Sequence, residues 1–330
     1  MERITIEDVA ARAGVSPTTV SHVFSGHRPV SAETQELVRS VADELGYRAN
    51  AVAKSLRINR TSTVMIVLPD ITNPFYPIFA RGVQDALRPA EYQTLLCNTD
   101  SRKEEELAFL EEARSRRLDG LVFMGYWVPP SDLAKLADSG IAVVNLGEGY
   151  GRVDAVSSGD RAMAAEVTRY LVQRYGSDVA FIDGTGPAPV ARSRMAGFRD
   201  GRGRRPSRGG SARELSEDFT KVGGRRGMAT LLDATPPPRA VFCANDLIAL
   251  GALEEVQSRG LRVPEDVAIV GWDDIDVAAL VSPSLTTVRS HPQRIGEASG
   301  QLLLSRMSGE YDGPSRATLV PAELVIRESA

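Results

Sequence analysis

Apolar residues follow two different spacings along the chain. In residues 1–46 they recur every three or four positions, which is the spacing of one face of a helix. In residues 62–330, short runs of apolar and β-branched residues alternate with helical stretches. The pattern predicts a small helical unit followed by a larger α/β unit, with residues 47–61 joining the two.

The helical unit begins with the pattern of a helix-turn-helix. The first helix has one apolar face, made of Ile6, Val9, Ala10 and Ala13. Gly14 follows, where a left-handed residue can end the helix, and Ser16 and Pro17 suit the start of a second helix. In the second helix we expect Val20, Val23 and Phe24 to point inward, and Thr18, Ser21, His22 and Ser25 to point outward.

A third helix is expected from about Ser31 to Gly46, with Val38, Val41 and Leu45 inside. A three-helix unit of this kind could be a purely structural module. The outer face of the second helix is short, polar and free of acids, as a helix lying in a DNA major groove between phosphates requires. This face favours a DNA-binding headpiece.

The larger unit is predicted to be a parallel α/β structure in two lobes. Strands are expected at 63–68, 94–97, 120–124, 141–145, 179–183, 240–243 and 267–270. Helices are expected near 76–88, 103–117, 160–175, 222–232 and 245–259. Repeated strand–helix–strand units imply parallel sheets covered by helices. Seven strands over some 270 residues, with further strands to be expected, fit two lobes better than one sheet.

Composition narrows the class of protein. With 330 residues, of which 42% are hydrophobic and 25% charged, the chain can form two or three globular domains. Two cysteines exclude a disulfide-rich scaffold and a four-cysteine zinc site, and no apolar run approaches the length of a membrane helix. The acidic N-terminus lacks the apolar core of a signal peptide, so we expect a cytoplasmic protein.

The net charge of −4 conceals an uneven distribution. Residues 1–60 carry eight Lys/Arg against seven Asp/Glu, and residues 46–60 contain four basic side chains and no acid. Phosphate binding needs local positive charge and not a basic average. A solvated linker would show the same pattern, so charge alone leaves both interpretations open.

Two segments carry a resemblance to a known family. Residues 4–23 read Ile-Thr-Ile-Glu-Asp-Val-Ala-Ala-Arg-Ala-Gly-Val-Ser-Pro-Thr-Thr-Val-Ser-His-Val, and residues 46–57 read Gly-Tyr-Arg-Ala-Asn-Ala-Val-Ala-Lys-Ser-Leu-Arg. They resemble the signature and the hinge helix of the lactose-repressor (LacI/GalR) family of bacterial transcriptional regulators. The resemblance implies a headpiece at 1–46, a hinge helix at 47–61 and a two-lobed, periplasmic-binding-protein-like effector-binding and dimerisation domain at 62–330.

The resemblance also implies which residues contact DNA. The headpiece set is Thr5, Ser16, Pro17, Thr18, Thr19, Ser21, His22, Ser25, Ser31 and Thr34, and the hinge set is Asn50, Ala53, Lys54 and Leu56. Leu56 would be an apolar wedge in the minor groove, or it could simply pack in a linker. Many members of the family have arginine at the position of His22, whereas the local Thr-Thr-Val-Ser-His of this chain resembles the purine-repressor branch. His22 would contact a base edge, or it could contact only the DNA backbone. Ala49 replaces a proline common in the family, so the hinge helix would start less rigidly.

Polar and aromatic residues at strand ends resemble the effector pocket of the family. The implied set is Asn73, Phe75, Tyr76, Arg194, Phe219, Asn245 and Asp273. Carboxylate, amide and guanidinium groups beside aromatic faces suit a polyol, so a sugar is the expected effector. A purine is the alternative. Phe75 and Tyr76 could equally be core aromatics, and Arg194 and Asp273 could form a structural ion pair between the lobes.

Two segments depart from the family. Ser290-His291 stands where members often carry glutamine, which puts one pocket contact in doubt. Residues 200–213 contain five arginines with glycine and proline where the family usually continues a helix, so we expect a mobile basic loop.

The sequence contains none of the common enzyme motifs considered below in complete form. Gly184-Thr-Gly186 lacks the third glycine of a dinucleotide fingerprint, and neither a Gly-Lys phosphate loop nor a Gly-x-Ser-x-Gly or His-Glu-x-x-His motif occurs. We expect no catalysis, cofactor or metal, but a repressor acting as a homodimer on a pseudo-palindromic operator. The rival is a sugar-binding protein or enzyme with an incidental helical domain.

Overall fold

The computed structural model describes residues 4–25, 28–48, 60–147, 149–203 and 213–330. The chain divides into two compact units, Met1–Ser62 and Thr63–Ala330, which are described separately below. Among the described residues, no helix has the length and apolar character needed to cross a membrane.

The first unit is a three-helix bundle. It contains α1 (Ile6–Ala13), α2 (Pro17–Ser25) and α3 (Ala32–Leu45). Its core consists chiefly of Val9, Ala10, Val20, Val38 and Val41, with the Phe24 and Tyr47 rings in contact at 5.7 Å between centroids. Gly14 and Gly46 end α1 and α3 with φ of 68° and 69°, a conformation that costs glycine little.

The second unit contains two sheets. In the first sheet the strand order is β11-β5-β4-β3-β1-β2, and every neighbouring pair is parallel. These strands are β1 (Thr63–Leu68), β2 (Gln93–Asn98), β3 (Gly120–Phe123), β4 (Ala142–Leu146), β5 (Asp154–Ser157) and β11 (Ala317–Leu319). The helices that accompany them are α4 (Phe75–Leu87), α5 (Lys103–Ser115), α6 (Pro130–Asp138) and α11 (Pro292–Met307). We call this the six-stranded lobe.

The second sheet has the order β7-β6-β8-β9, again fully parallel. These strands are β6 (Val179–Gly184), β7 (Glu214–Glu217), β8 (Ala240–Cys243) and β9 (Ala268–Val270). The accompanying helices are α7 (Asp160–Tyr175), α8 (Pro189–Arg202), α9 (Lys221–Asp233) and α10 (Asp246–Ser258). We call this the four-stranded lobe. An antiparallel pair, β10 (Thr287–Arg289) and β12 (Glu323–Val325), lies beside the points where the chain passes between the lobes.

The order of the strands explains how a site can form. The chain leaves the six-stranded lobe after β5, returns before α11 and leaves it again after β11. Each lobe therefore presents the carboxyl ends of its parallel strands, and the loops that follow them are where ligands bind in such sheets.

Apart from the hinge helix expected at 47–61, most of which lies outside the described residues, the predicted strands and helices are present, with ends shifted by up to about three residues. The pattern missed α6, α8, α11 and the short strands β5, β7, β10, β11 and β12. The missed strands have only three or four residues each, too few to show a period.

The expectation of a mobile basic loop over 200–213 is wrong at both ends. Helix α8 continues through Arg202 and includes Gly201. A Cβ at Gly201 would come within 2.4 Å of the Ala165 carbonyl oxygen on α7. This glycine serves close helix packing. Arg213 is 1% exposed, and its guanidinium forms an ion pair with Asp178 at 2.9 Å. Residues 204–212 lie outside the described residues.

Candidate functional site

A cavity lies between the two lobes of the second unit. Its empty space is roughly 770 Å³, part of it open to solvent. All seven side chains of the predicted effector set lie on its wall: Asn73, Phe75, Tyr76, Arg194, Phe219, Asn245 and Asp273. Residues from strand ends far apart in sequence thus meet in one place.

The wall on the six-stranded lobe is aromatic. Phe75 and Tyr76, at the start of α4, meet edge to face with ring centroids 5.3 Å apart. Asn73 fixes this helix start, since its Oδ1 accepts the backbone N–H of Phe75 at 3.0 Å. The side chain of Asn73 therefore already supports the wall, which leaves its amide nitrogen for a ligand.

The sequence interpretation missed Tyr126, which completes this wall. Its hydroxyl lies 3.2 Å from that of Tyr76, and its ring centroid lies 6.1 Å from that of Phe219. Burial raises the pKa of Tyr126 to about 12 and that of Tyr76 well above its ordinary value, so both phenols are neutral at physiological pH. Tyr126 follows the end of β3, and its position after a parallel strand was the signal that could have identified it.

The wall on the four-stranded lobe is polar, and Arg194 is its centre. Its Nε donates to Asp160 Oδ1 at 2.9 Å, its Nη1 donates to the Ala244 carbonyl at 2.6 Å, and its guanidinium lies 4.2 Å from the centroid of Trp272. An ion pair between Arg194 and Asp273 across the lobes is therefore not found. The partner is Asp160, and both side chains belong to the four-stranded lobe.

Asp160 is a second residue that the sequence interpretation missed. It opens α7, accepts a hydrogen bond from Ser158 Oγ at 2.9 Å and lies on the cavity wall with Ser158. A Ser-x-Asp segment that opens a helix directly after a strand was the available signal.

Asn245 and Phe219 are coupled to each other. Asn245 caps α10 by accepting the N–H of Ile248 at 2.8 Å, and its Nδ2 donates to the Phe219 carbonyl at 3.3 Å. The Phe219 ring rests on the end of β6, where a Cβ on Gly184 would lie 1.9 Å from a ring carbon. The remaining N–H of the Asn245 amide is the group that could face a ligand.

Asp273 differs from the other polar groups on the wall. It is 8% exposed, and within the described residues its carboxylate accepts no hydrogen bond. Burial raises its pKa to about 7, while nearby Arg194 lowers it and Asp160 raises it. Its φ of 114° is strained for a non-glycine residue, and such strain is concentrated at functional sites. Asp273 is therefore an acceptor on this wall with free capacity.

Ser290 and His291 separate in the structure. Ser290 lines the cavity with a buried Oγ that has no hydrogen-bond partner among the described residues. His291 caps α11 with a φ of 54°, and its Nε2 lies 3.8 Å from Glu323. A serine hydroxyl therefore stands on the wall at this point.

The candidate DNA-contact face belongs to the first unit. Helix α2 contains no acid, and Ser16, Pro17 and Thr18 at its start are exposed. Ser21 and His22 are half-buried, because α2 packs against both α1 and α3, and their outward orientation toward DNA stays a prediction. The Nδ1 atom of His22 is buried without a hydrogen-bond partner in the described part of the chain, so Nε2 is the atom left for an outside contact.

Several predicted phosphate contacts are helix caps. Thr5 and Asp8 form a reciprocal capping box at the start of α1, with Thr5 N–H donating to Asp8 at 2.8 Å. Ser16 accepts the N–H of Thr19 at 3.1 Å, and Ser31 accepts the N–H of Thr34 at 3.2 Å. Helix starts of this kind present backbone N–H groups to anions.

Part of the predicted DNA set cannot be placed. Asn50, Ala53, Lys54 and Leu56 lie outside the described residues, as does the side chain of Ser25. Within the described ranges, no group of three or more His, Cys, Asp or Glu side chains is arranged to hold a metal ion.

Comparison with known proteins gives a consistent result. A family described as bacterial regulatory proteins, lacI family, matches residues 5–50, and a periplasmic binding protein-like domain matches residues 168–330. The HTH-type transcriptional repressor PurR of Pasteurella multocida (strain Pm70) is 32% identical over 98% of both chains.

Two solved structures with bound sugars are also similar. One is a transcriptional regulator CelR–cellobiose complex, with 30% identity, a TM-score of 0.73 and coverage of 99% of this chain and 100% of that one. The other is a LacI family transcriptional regulator from Enterococcus faecium with bound ribose, with 27% identity, a TM-score of 0.71 and coverage of 81% and 98%. The chain belongs to the lacI family of bacterial regulatory proteins: DNA-binding transcriptional regulators that join a helix-turn-helix headpiece to a periplasmic-binding-protein-like domain.

Proposed function

We propose that this chain is a transcriptional repressor that binds a pseudo-palindromic operator as a homodimer and whose operator affinity a sugar controls. The observation that carries the effector part is the composition of the cavity wall. It joins neutral aromatic faces on one lobe to an arginine, a carboxylate and an amide on the other. Aromatic rings cover the apolar face of a sugar ring, and the polar groups bond its hydroxyls.

Charge favours an uncharged polyol over an anionic ligand. The positive charge of Arg194 is already matched by Asp160, and its Nη2 is the nitrogen without a hydrogen bond among the described residues. Asp273 adds an acceptor that repels anions when ionised. The sugars bound by the two similar regulators agree with this preference. A purine is the alternative, since the same aromatic rings could stack on a base.

The effector residues proposed are the seven of the predicted set, with Asp160, Tyr126 and Ser290 added by the geometry of the wall. We assign these residues to binding and none to catalysis, and a bacterial DNA-binding regulator of this kind acts in the cytoplasm.

For DNA, we propose that α2 lies in the major groove. Support comes from its acid-free surface and from the three exposed residues at its start, Ser16, Pro17 and Thr18. His22 would donate from Nε2 to a guanine edge. Thr5, Ser31 and Thr34 would contact phosphates at helix starts, and the hinge set Asn50, Ala53, Lys54 and Leu56 would enter the minor groove.

The proposed division of labour follows the family pattern. Residues 1–46 would form the headpiece, 47–61 the hinge helix and 62–330 the effector-binding and dimerisation domain. A change in the spacing of the two lobes would alter how two hinge helices meet on DNA. Couplings of this type typically amount to about 1–3 kcal/mol.

Exposed apolar side chains on both lobes support the dimer. On the six-stranded lobe they are Ile78, Leu95 and Leu96, and on the four-stranded lobe they are Val222, Val277 and Leu280, the last 80% exposed. Exposed apolar side chains mark interaction surfaces where they form a contiguous patch, and we propose that these do. Leu280→Glu should shift sedimentation toward the monomer, whereas Leu319→Glu, an exposed leucine on β11, should leave the dimer intact. A tetramer at micromolar protein would contradict the proposal.

The first experiment selects binding sites from a randomised duplex library with the full-length chain at stated salt. A palindrome with a flexible central step such as C-G supports a dimeric repressor, and it supplies the operator for effector screening. No motif, with sugar binding retained, would favour the rival sugar-binding protein. A thermal-shift panel of sugars and purines then decides the effector class.

A matched pair of variants tests the headpiece. His22→Ala should relax the base preference at one position in each half-site, at a cost of about 1–3 kcal/mol against the preferred base. Arg39→Ala, at an exposed position of α3, should leave the recovered motif unchanged. Equal motifs from both variants would remove His22 from the proposed base contacts.

A further inference from the structure

Glu106 is a fully buried carboxylate that does not line the cavity but binds the backbone of Tyr126, which does. It belongs to α5 in the six-stranded lobe and has no exposed surface. Its Oε1 accepts the backbone N–H of Tyr126 at 2.6 Å, and its Oε2 accepts those of Trp127 and Val128 at 2.9 and 3.1 Å. One side chain therefore satisfies three consecutive backbone donors of the segment after β3.

The same segment is fixed by close packing. A Cβ on Gly125 would lie 2.6 Å from the Glu106 carboxyl carbon and 2.2 Å from the Phe123 ring, so only glycine lets the backbone approach this closely. On the outer side, the indole N–H of Trp127 donates to the Ser101 carbonyl at 2.8 Å. The backbone around Tyr126 is thus tied to α5 and to the segment before it.

Tyr126 is the residue that this fixed backbone presents to the cavity. Its ring meets Phe219 of the four-stranded lobe with centroids 6.1 Å apart, and its hydroxyl meets Tyr76. Phe219 in turn rests against Gly184. A continuous aromatic contact therefore joins the two lobes over the cavity, and Glu106 holds one end of it.

We propose that Glu106 is a positioning residue for the effector site: it fixes the Tyr126–Val128 backbone so that Tyr126 bridges to Phe219, and it thereby sets both the contact between the lobes and the affinity for a sugar. The part about affinity rests on the proposed function of the cavity. The part about the bridge between the lobes does not.

The physical reason lies in the cost of releasing the segment. If Tyr126 and its backbone moved away, three N–H groups and the buried carboxyl group would lose their hydrogen-bond partners. Water does not reach these buried groups to replace the lost bonds. The segment is therefore ordered before a ligand arrives. Less ordering on binding means tighter binding for the same contacts.

The first test uses Glu106→Gln in the free full-length chain. The substitution keeps the volume but places an NH₂ group against at least one backbone N–H, so hydrogen exchange at Tyr126–Val128 should accelerate by about tenfold or more for one lost bond. Exchange should also accelerate at residues 218–220 of the other lobe, because the bridge to Phe219 loosens. Ser299→Ala is the control: it removes a buried side-chain hydrogen bond to Ile295 at 2.8 Å on α11, away from this segment. Unchanged exchange at 218–220 in Glu106→Gln would overturn the proposal.

The second test is a double-mutant cycle with cellobiose and ribose as probes. Glu106→Gln should weaken binding of a probe about fivefold to tenfold in the parent chain and by less than about twofold in a Tyr126→Ala background, because the effect passes through Tyr126. An equal loss in both backgrounds would show a role independent of Tyr126 and would overturn the proposal. If neither probe binds the parent chain, the sugar assignment fails, and the exchange experiment alone decides whether Glu106 holds the bridge.

Discussion

The two lobes are built alike but present opposite surfaces to the cavity between them. Each has a parallel sheet with helices, yet the six-stranded lobe contributes aromatic rings and the four-stranded lobe contributes charged and amide groups. On the polar side, Arg194 is held by an ion pair and a backbone carbonyl and Asn245 by a helix start, whereas Asp273 has no such partner among the described residues. From this difference we expect the four-stranded lobe to orient a ligand and the six-stranded lobe to cover it.

The largest effect should follow from removing the central charge of the polar wall. Arg194→Met keeps much of the packing on Trp272 but leaves Asp160 buried without its partner. We expect the free energy of unfolding to fall by about 3–5 kcal/mol, as when one member of a buried pair is removed, and sugar affinity to fall at least about 100-fold. Denaturant unfolding and calorimetric titration measure the two effects.

The matched control is Arg161→Met in the same lobe. Arg161 pairs with Asp200, but these side chains are 66% and 48% exposed, so the change should cost less than about 1 kcal/mol. Equal destabilisation by the two variants would remove the distinction between a site arginine and a surface arginine.

Phe219 is the aromatic exception on the polar lobe, and its removal tests whether aromatic cover contributes to sugar affinity. Phe219→Ala takes away both the ring face and the contact with Tyr126, so we expect sugar affinity to fall about tenfold to thirtyfold with a smaller change in stability. Tyr150→Ala, which removes an exposed ring outside the cavity, should not change affinity. If both variants bind a sugar as the parent does, aromatic cover is not part of recognition.

The pH dependence of binding tests Asp273. Burial raises its folded pKa to about 7 from 3.8, so its contribution to stability is fully present below about pH 3.8 and is lost as pH rises through about 7. Sugar hydroxyls donate to the ionised form. Affinity should therefore rise up to about tenfold between about pH 6 and pH 8 and then level off.

Two variants locate this titration. Asp273→Asn should abolish the rise. Asp183→Asn should keep it, because burial likewise raises the Asp183 pKa to about 7 but its carboxylate binds the Gly184 N–H away from the cavity wall. If the pH dependence is lost in Asp183→Asn, the titrating group is Asp183, which does not line the cavity, and the proposed direct contact of Asp273 with the sugar is contradicted.

The smallest effect should come from a single hydroxyl on the aromatic wall. Tyr126→Phe keeps the ring against Phe219 and removes only the hydroxyl contact with Tyr76, so affinity should change by about twofold to threefold. Tyr76→Phe and the double variant should give the same change, since all three remove one hydrogen bond. An additive double variant would mean that each hydroxyl binds the ligand separately.

Much of the fold could be predicted because its signals are local. Gly14, Ser16 and Gly46 mark helix ends through preferences that act within one turn, and the apolar run after Thr63 predicts the strand at 63–68, which the structure confirms. The basic segment shows the limit of local rules. Its arginine, glycine and proline content predicts a loop, although the lack of a side chain at Gly201 lets α8 pack on α7.

The candidate site shows the same division. Its seven predicted residues line one cavity, and they were predicted from the resemblance of their local motifs to the family. Tyr126, Asp160 and Glu106 were not identified, because the motif rules do not state what a tyrosine, an aspartate or a glutamate at those places would touch. The structure pairs Arg194 with Asp160 and not with Asp273, and this pairing depends on how the helices pack.

The sequence by itself thus determined the family, the helix-turn-helix, the alternation of strands and helices, and the chemistry available to the cavity, since these depend on short-range periodicity and motif. Only the tertiary structure decided which charge pairs with which, how far Asp273 is buried, and that Glu106 stands behind Tyr126. Those facts depend on the register of parallel strands and on which lobe each loop joins, and neither is set by residues that are neighbours in the chain.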